Sequence, residues 1–270
     1  MRLYHVCFNV MVYLSLTFFG SAVNGSPMPV TISKEDTQRI GQQIWQNEGA
    51  GKTENLLVWN AGEDFPSLGI GHFIWFPQGV QAPFKESFPQ LIPLLSKHPL
   101  CPDWLKTQRT APWQSREQFL AERNSARTLQ LQKLLQHTFT EQMQFILQRW
   151  QQSQPALLAH VTDAKQRLLI QQRIQQLLQQ PAGVYALIDY VNFKGEGIAE
   201  KERYQGEGWG LLQVLLEMKS DSRDPVAEFS RAADVVLTRR VHNAPRDETR
   251  WLPGWRKRLQ TYTQFTAQRL

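Results

Sequence analysis

Apolar side chains at helical spacing run through most of the chain. The first set, Ile40, Ile44 and Trp45, shares one face of segment 31–48. Ser33 offers an N-cap there and Asp36 stands three residues on, a variant of the capping box. This pattern predicts a helix ending near Glu48, stopped by Gly49-Ala50-Gly51. Segment 55–76 has a different period. Leu56-Leu57-Val58-Trp59, the polar Asn60-Ala61-Gly62-Glu63-Asp64 and the run Leu68–Phe76 predict a short β-hairpin or meander, the only strand region expected. From about residue 84 the helical period returns. Prolines at 83, 89, 93, 99, 102 and 112 imply short helices and loops first. Helices are then expected over 115–136, 138–152, 162–180, 182–191, 209–219, 224–242 and 254–268. The Gln-rich stretch 130–180 and its flank keep a core stripe of Leu129, Leu131, Leu134, Leu135, Phe139, Phe145, Ile146, Leu168, Leu169, Ile174, Leu177 and Leu178, with glutamines on a solvated face. The expected fold class is mainly α (α+β), with the small sheet near the N-terminus.

Composition narrows the class without naming a function. In 270 residues, 41% hydrophobic and 20% charged side chains are enough for a packed core, and two cysteines are too few for a disulfide scaffold. Residues 1–25 read as a signal peptide: Arg2, an apolar run to Phe19, then small residues ending at Gly25, with cleavage after Ala22 or Gly25. The run is shorter than the ~20 residues a membrane-spanning helix needs. The mature chain, 26–270, is expected to be exported, periplasmic or secreted, as one domain with room for two lobes and with no membrane span. Arg2 is the only charge removed, which takes the net charge from +6 to +5. Cys101 is then alone and reads as a small buried hydrophobe.

The candidate chemistry gathers around the first helix and the hairpin. Glu48 closes an apolar-faced helix, where Ile44 and Trp45 offer the surroundings a general acid needs. Glu63, Asp64 and Ser67 follow across the turn, then Gly69, Gly71 and His72. A proton donor and a second carboxylate are the groups that glycosidic cleavage requires. Glu48 with Asp64 or Glu63 supplies them. Trp59, Trp75 and Trp209 are candidate stacking plates for sugar rings, and Asn192 and Gln213 are candidate hydrogen-bonding partners for hydroxyls.

The order helix–Glu48, hairpin, Ser67-Leu68-Gly69-Ile70-Gly71-His72 resembles the catalytic region of phage-type lysozymes, over residues 36–76. The resemblance implies a lysozyme-like helical domain. It also implies Glu48 as proton donor, Ser67 as the water-holding hydroxyl and His72 as the histidine that braces the cleft. Asp64 stands closer to Ser67, and farther from Glu48, than that family has its Asp, so the second carboxylate stays open between Asp64, Glu63 and Glu54. Gly210-Leu211-Leu212-Gln213, after Gly208-Trp209, loosely resembles the G-L-x-Q segment that borders the saccharide groove of lysozyme-like lytic transglycosylases. The implied partner is a glycan polymer, peptidoglycan or a related aminosugar polymer.

Other chemistries find little support. The six histidines are scattered and no Cys/His cluster is present, so neither a metal nor a cofactor is expected. Gly51-Lys52-Thr53 lacks the first glycine and the strand of a phosphate loop. The basic, aromatic segment Arg239–Arg258 reads as a solvated helix face, with no nucleic-acid partner. The alternative to an enzyme is a non-catalytic envelope protein that keeps the cleft for binding glycan or protein; an inhibitor or assembly factor using the Gln-rich helices is a third.

Overall fold

A computed structural model of the protein describes residues 28, 30, 32–80 and 86–267; the signal segment 1–25 lies outside them. The chain is mainly helical with a small sheet near its start. Helix α1 (Lys34–Gly49) begins where the sequence sets it, with the Ser33 side chain accepting from the Asp36 N–H. It ends on Ala50, a non-glycine residue in the left-handed region at φ 51°. A 3₁₀ turn over Thr53–Leu56 takes the first residues of the expected strand region, because the Asn55 side chain turns back to donate to the Gly49 carbonyl. Strands β1 (Leu57–Val58), β2 (Ser67–Leu68) and β3 (Phe73–Ile74) then form an antiparallel meander in that order, with Leu57 opposite Leu68 and Ser67 opposite Ile74.

The helices that follow are α2 (Phe88–Leu95), α3 (Asp103–Thr107), α4 (Arg116–Ala121), α5 (Ala126–His137), α6 (Phe139–Ala159), α7 (Ala164–Leu178), α8 (Pro181–Lys194), α9 (Leu211–Glu217), α10 (Pro225–Asn243) and α11 (Leu252–Ala267). The single helix expected over 115–136 is two. Ser125 starts a new helix by accepting from the Thr128 N–H, which breaks the run before Ala126. Helix α6 runs past residue 152 and through Pro155, since Gln154, Leu157 and Leu158 are buried beyond it. A second ribbon that the hydrophobic pattern does not announce joins β4 (Arg203–Tyr204) to β5 (Glu207–Gly208). Its two-residue turn, Gln205-Gly206, has φ 52° and 82°, the positive values of a type I′ hairpin. The expected core stripe also loses two members: Leu129 and Leu168 are exposed.

Helix α8 is the axis of the fold. Every residue from Ala182 to Tyr190 is buried, and the helix packs against α1, α6, α7, α9, α10 and α11. A helix apolar on all sides belongs in the interior. Its entry is tight: a side chain at Gly183 would strike the Leu177 carbonyl at the end of α7. One charge, Asp189, sits within this buried run, and its pairing builds the site.

Candidate functional site

Residues three and four apart on a helix share a face. On α8 this brings Asp189, Asn192 and Phe193 toward the end of α1 and the flank of α11. On α11 it brings Arg258 and Tyr262 to the same place. Arg258 grips Asp189 with two bonds, Nε to Oδ2 at 2.9 Å and Nη2 to Oδ1 at 2.8 Å. The Tyr262 hydroxyl donates to Asp189 Oδ2 at 2.7 Å, and Asn47 Nδ2 donates to Oδ1 at 3.2 Å. The fully buried carboxylate is thereby saturated, as a buried charge requires. Burial opposes the Arg258 charge, but Asp189 and Glu48 outweigh it and hold the guanidinium firmly protonated. Burial, then Asp189, push the Tyr262 hydroxyl far above its ordinary range.

Arg258 also reaches Glu48: Nη2 lies 2.5 Å from Glu48 Oε1. Asn192 Nδ2 donates to the same oxygen at 3.1 Å. Glu48 Oε2 faces His72 Nδ1 at 3.7 Å, beyond hydrogen-bond length. The carboxyl group therefore has one oxygen fixed by two donors and one that makes no hydrogen bond among the described residues. The Glu48 side chain keeps 16% of its surface open to solvent, and that of His72 keeps 22%. The surroundings differ from the apolar setting expected: Ile44 is buried one turn back, and Trp45 stacks edge-on to Phe139, while polar groups ring the carboxyl.

His72 closes the turn between β2 and β3 rather than projecting from a strand. Its N–H donates to the Gly69 carbonyl at 3.3 Å, and its φ is 46°. Gln142 of α6 anchors this turn from below. Fully buried, it accepts from the Ile70 N–H at 2.9 Å and donates to the Leu135 carbonyl at 2.7 Å. Gly69 (φ 71°) is required there, since a Cβ would strike Gln142 Oε1.

The structure thus brings Glu48, His72 and Asn192 together. Ser67 is buried in β2, paired across the sheet with Val58 and Ile74. Asp64 is exposed, and Glu63 accepts from Asn60 Nδ2 at 3.1 Å within its own turn. Neither shows a hydrogen bond or ion pair to Glu48 among the described residues. Trp59, Trp75 and Trp209 are corrected from stacking plates to core: they are 5%, 0% and 7% exposed. Their indoles pack on Phe119, Phe88 and Tyr204. Gln213 is likewise a clamp. Its Oε1 accepts from the Gly210 N–H at 3.0 Å and its Nε2 donates to the Gly197 carbonyl at 3.1 Å. These bonds, with Leu211 N–H to Gly195 O, staple the loop after α8 onto the start of α9 and fix where α8 ends.

Sequence reasoning missed Asp189, Arg258 and Tyr262. The signal was present in Asp189 itself, a charge inside the apolar run Val184–Val191, which demands a buried cation. Arg258 is consequently not part of a solvated face, although Arg256 and Lys257 beside it are exposed. Among the described residues there is no group of three or more His, Cys, Asp and Glu able to hold a metal ion. No helix among them is long and apolar enough to cross a membrane. Cys101 is buried, and burial pushes its thiol up. Comparison with family models, curated proteins and solved structures gives no match.

Proposed function

We propose that the protein is an exported, periplasmic or secreted glycoside hydrolase of lysozyme-like type, acting on the glycan of peptidoglycan or a related aminosugar polymer. One observation carries the reading: Glu48 has Oε1 held by Arg258 and Asn192, while Oε2, on the partly open side beside His72, makes no hydrogen bond among the described residues. A proton on Oε2 is compatible with both donors on Oε1, so the group can be aimed at a leaving oxygen without giving up its supports. Glu48 protonates the glycosidic oxygen as the bond breaks. A turn carboxylate, Asp64 or Glu63, steers water or stabilises the oxocarbenium-like transition state, with Ser67 in support and His72 bracing Glu48. A separation of about 6.5–9.5 Å between the two carboxyl groups in the substrate complex corresponds to direct attack by water, and about 5–5.5 Å to a covalent intermediate.

The test is Glu48→Gln assayed on cell-wall sacculi and on chitosan, with the soluble sugars analysed. The amide keeps an oxygen for Arg258 and Asn192, so the melting temperature should hold. Turnover should fall by roughly 10²–10⁴, the usual contribution of a positioned general acid. Undiminished cleavage by the variant removes Glu48 as the acid.

A second reading, a non-catalytic envelope protein that binds glycan or protein, is favoured by the placement of Asp64 and Glu63, which make no bond to the Glu48 cluster among the described residues. It is disfavoured by the burial of the three tryptophans it would display. Sedimentation with sacculi, without any release of sugars by the wild-type chain, is its signature.

A further inference from the structure

Arginines drawn into this fold are paired, with one exception. Every other described arginine that is not exposed makes a hydrogen bond or an ion pair. Arg149 of α6 is half-buried and makes neither among the described residues. Its guanidinium lies 5.8 Å from the centroid of the Phe145 ring, a contact that leaves five N–H donors without an acceptor. None of its nitrogens is sealed from solvent, whereas Nε of Arg173 and Nε of Arg239 both are. The group has thus lost part of its water, stays open at its polar edge and receives no anion in return, which costs a fold stability.

Its place on α6 sets it at the candidate cleft. Gln142, Phe145, Ile146 and Arg149 share one helix face. The first three underlie the β2–β3 turn: Gln142 accepts from the Ile70 N–H, Phe145 packs edge-on to Phe73 at 5.3 Å, and a Cβ at Gly71 would lie 3.3 Å from Ile146 Cδ1. Arg149 comes one turn after Ile146. The acid whose charge acts on it is Glu196, in the loop after α8 four residues beyond Asn192, and the two form no ion pair. Arg149 therefore borders the two segments that bring His72 and Asn192 to Glu48. We propose that Arg149 is a specificity-determining residue of this cleft, whose guanidinium takes a carboxylate carried by the glycan strand, so that the polymer accepted is an acidic one. The planar fork of an arginine meets both oxygens of a carboxylate at once, and the bound anion supplies the counter-charge that the fold withholds. The inference rests on the reading of the Glu48 site as a glycan site, and holds for its hydrolytic and its binding version alike. Carboxyl-bearing aminosugar strands are favoured over neutral chitin-like chains and over cationic chitosan.

Equilibrium binding of the full chain to soluble oligosaccharides tests it. The probes are cell-wall glycan strands, with their stem peptides and after enzymatic removal of them, and uncharged N-acetylglucosamine oligomers of equal length. The wild-type chain should bind acidic strands at least about tenfold more tightly than neutral ones, the worth of one charged hydrogen-bonded pair. A preference that survives peptide removal places the carboxylate on the sugar, and one that is lost places it on the peptide. Arg149→Met should abolish the preference, keep the affinity for neutral oligomers and melt no lower than the wild type, since the fold makes no bond to this charge. Arg149→Lys, which keeps the charge without the fork, should retain part of the preference. Where sugars are released, Arg149→Met should raise KM for acidic strands about tenfold and leave kcat unchanged. Equal affinity of the wild-type chain for acidic and neutral oligomers, binding to neither, or a preference that survives Arg149→Met overturns the proposal. Sugar release without the preference leaves the hydrolase reading standing alone, and the preference without sugar release leaves this one standing alone.

Discussion

Asp189 is the residue on which the site turns. Its carboxylate is fully buried and bonded by Arg258, Tyr262 and Asn47, and Arg258 in turn serves Glu48. Removing one member of a buried pair leaves the other uncompensated, so Asp189→Ala should cost about 3–5 kcal/mol, read from the shift in urea midpoint. Glu48→Gln leaves the Asp189–Arg258 pair intact, and on the proposed function should move the same midpoint little while cutting glycan cleavage by roughly 10²–10⁴. On that reading the contrast separates a structural carboxylate, Asp189, from the proposed acid, Glu48. It also shows what was legible at this scale. Glu48, His72 and Asn192 could be read from the sequence because each stands at an element boundary or beside glycine, where side chains reach a surface. Arg258 could not, since a basic run with Arg256 and Lys257 has the same pattern whether one member turns inward or all face water.

Among the elements, the β2–β3 turn and α6 depend on each other. Gln142 is fully buried and satisfies the Ile70 N–H and the Leu135 carbonyl from a single side chain, so one amide ties the turn that carries His72 to α6. Gln142→Leu strands those groups without changing the apolar volume greatly. It should destabilise by about 1–3 kcal/mol in urea unfolding, and on the proposed mechanism it should slow cleavage by letting His72 drift from Glu48. The helices and the meander were legible because their periods differ. What escaped the pattern were breaks made by single side chains: Ser125 dividing α4 from α5, and Asn55 drawing Thr53–Leu56 into a 3₁₀ turn. The Gln205-Gly206 ribbon escaped for another reason, being held by turn geometry rather than by an alternating apolar face. The tryptophans were misread because an aromatic count does not say which way a ring faces.

At the level of the whole molecule, stability should depend on pH through groups far from their ordinary values. In the unfolded chain Lys194 titrates near 10.4; in the folded chain burial first, then Arg240 and Arg258, push it down to about 6. Between those values the unfolded state binds the extra proton, so stability rises with pH from about 6 upward. Lys194→Met should flatten that rise, as urea midpoints measured from pH 6 to pH 9 would record. Tyr185, Tyr190 and Tyr262 act in the opposite sense. Burial raises all three, so above about pH 10 the unfolded chain sheds protons that the folded chain keeps, and stability falls again. The bond from Arg258 to Glu48 joins the last described helix to the first, across 210 positions of sequence. A ribosome therefore delivers the glutamate, the histidine and the asparagine long before the guanidinium that steadies them. On the proposed function, a nascent chain that has emerged only as far as α10 lacks the guanidinium that holds Glu48, and cleavage has to wait until α11 docks.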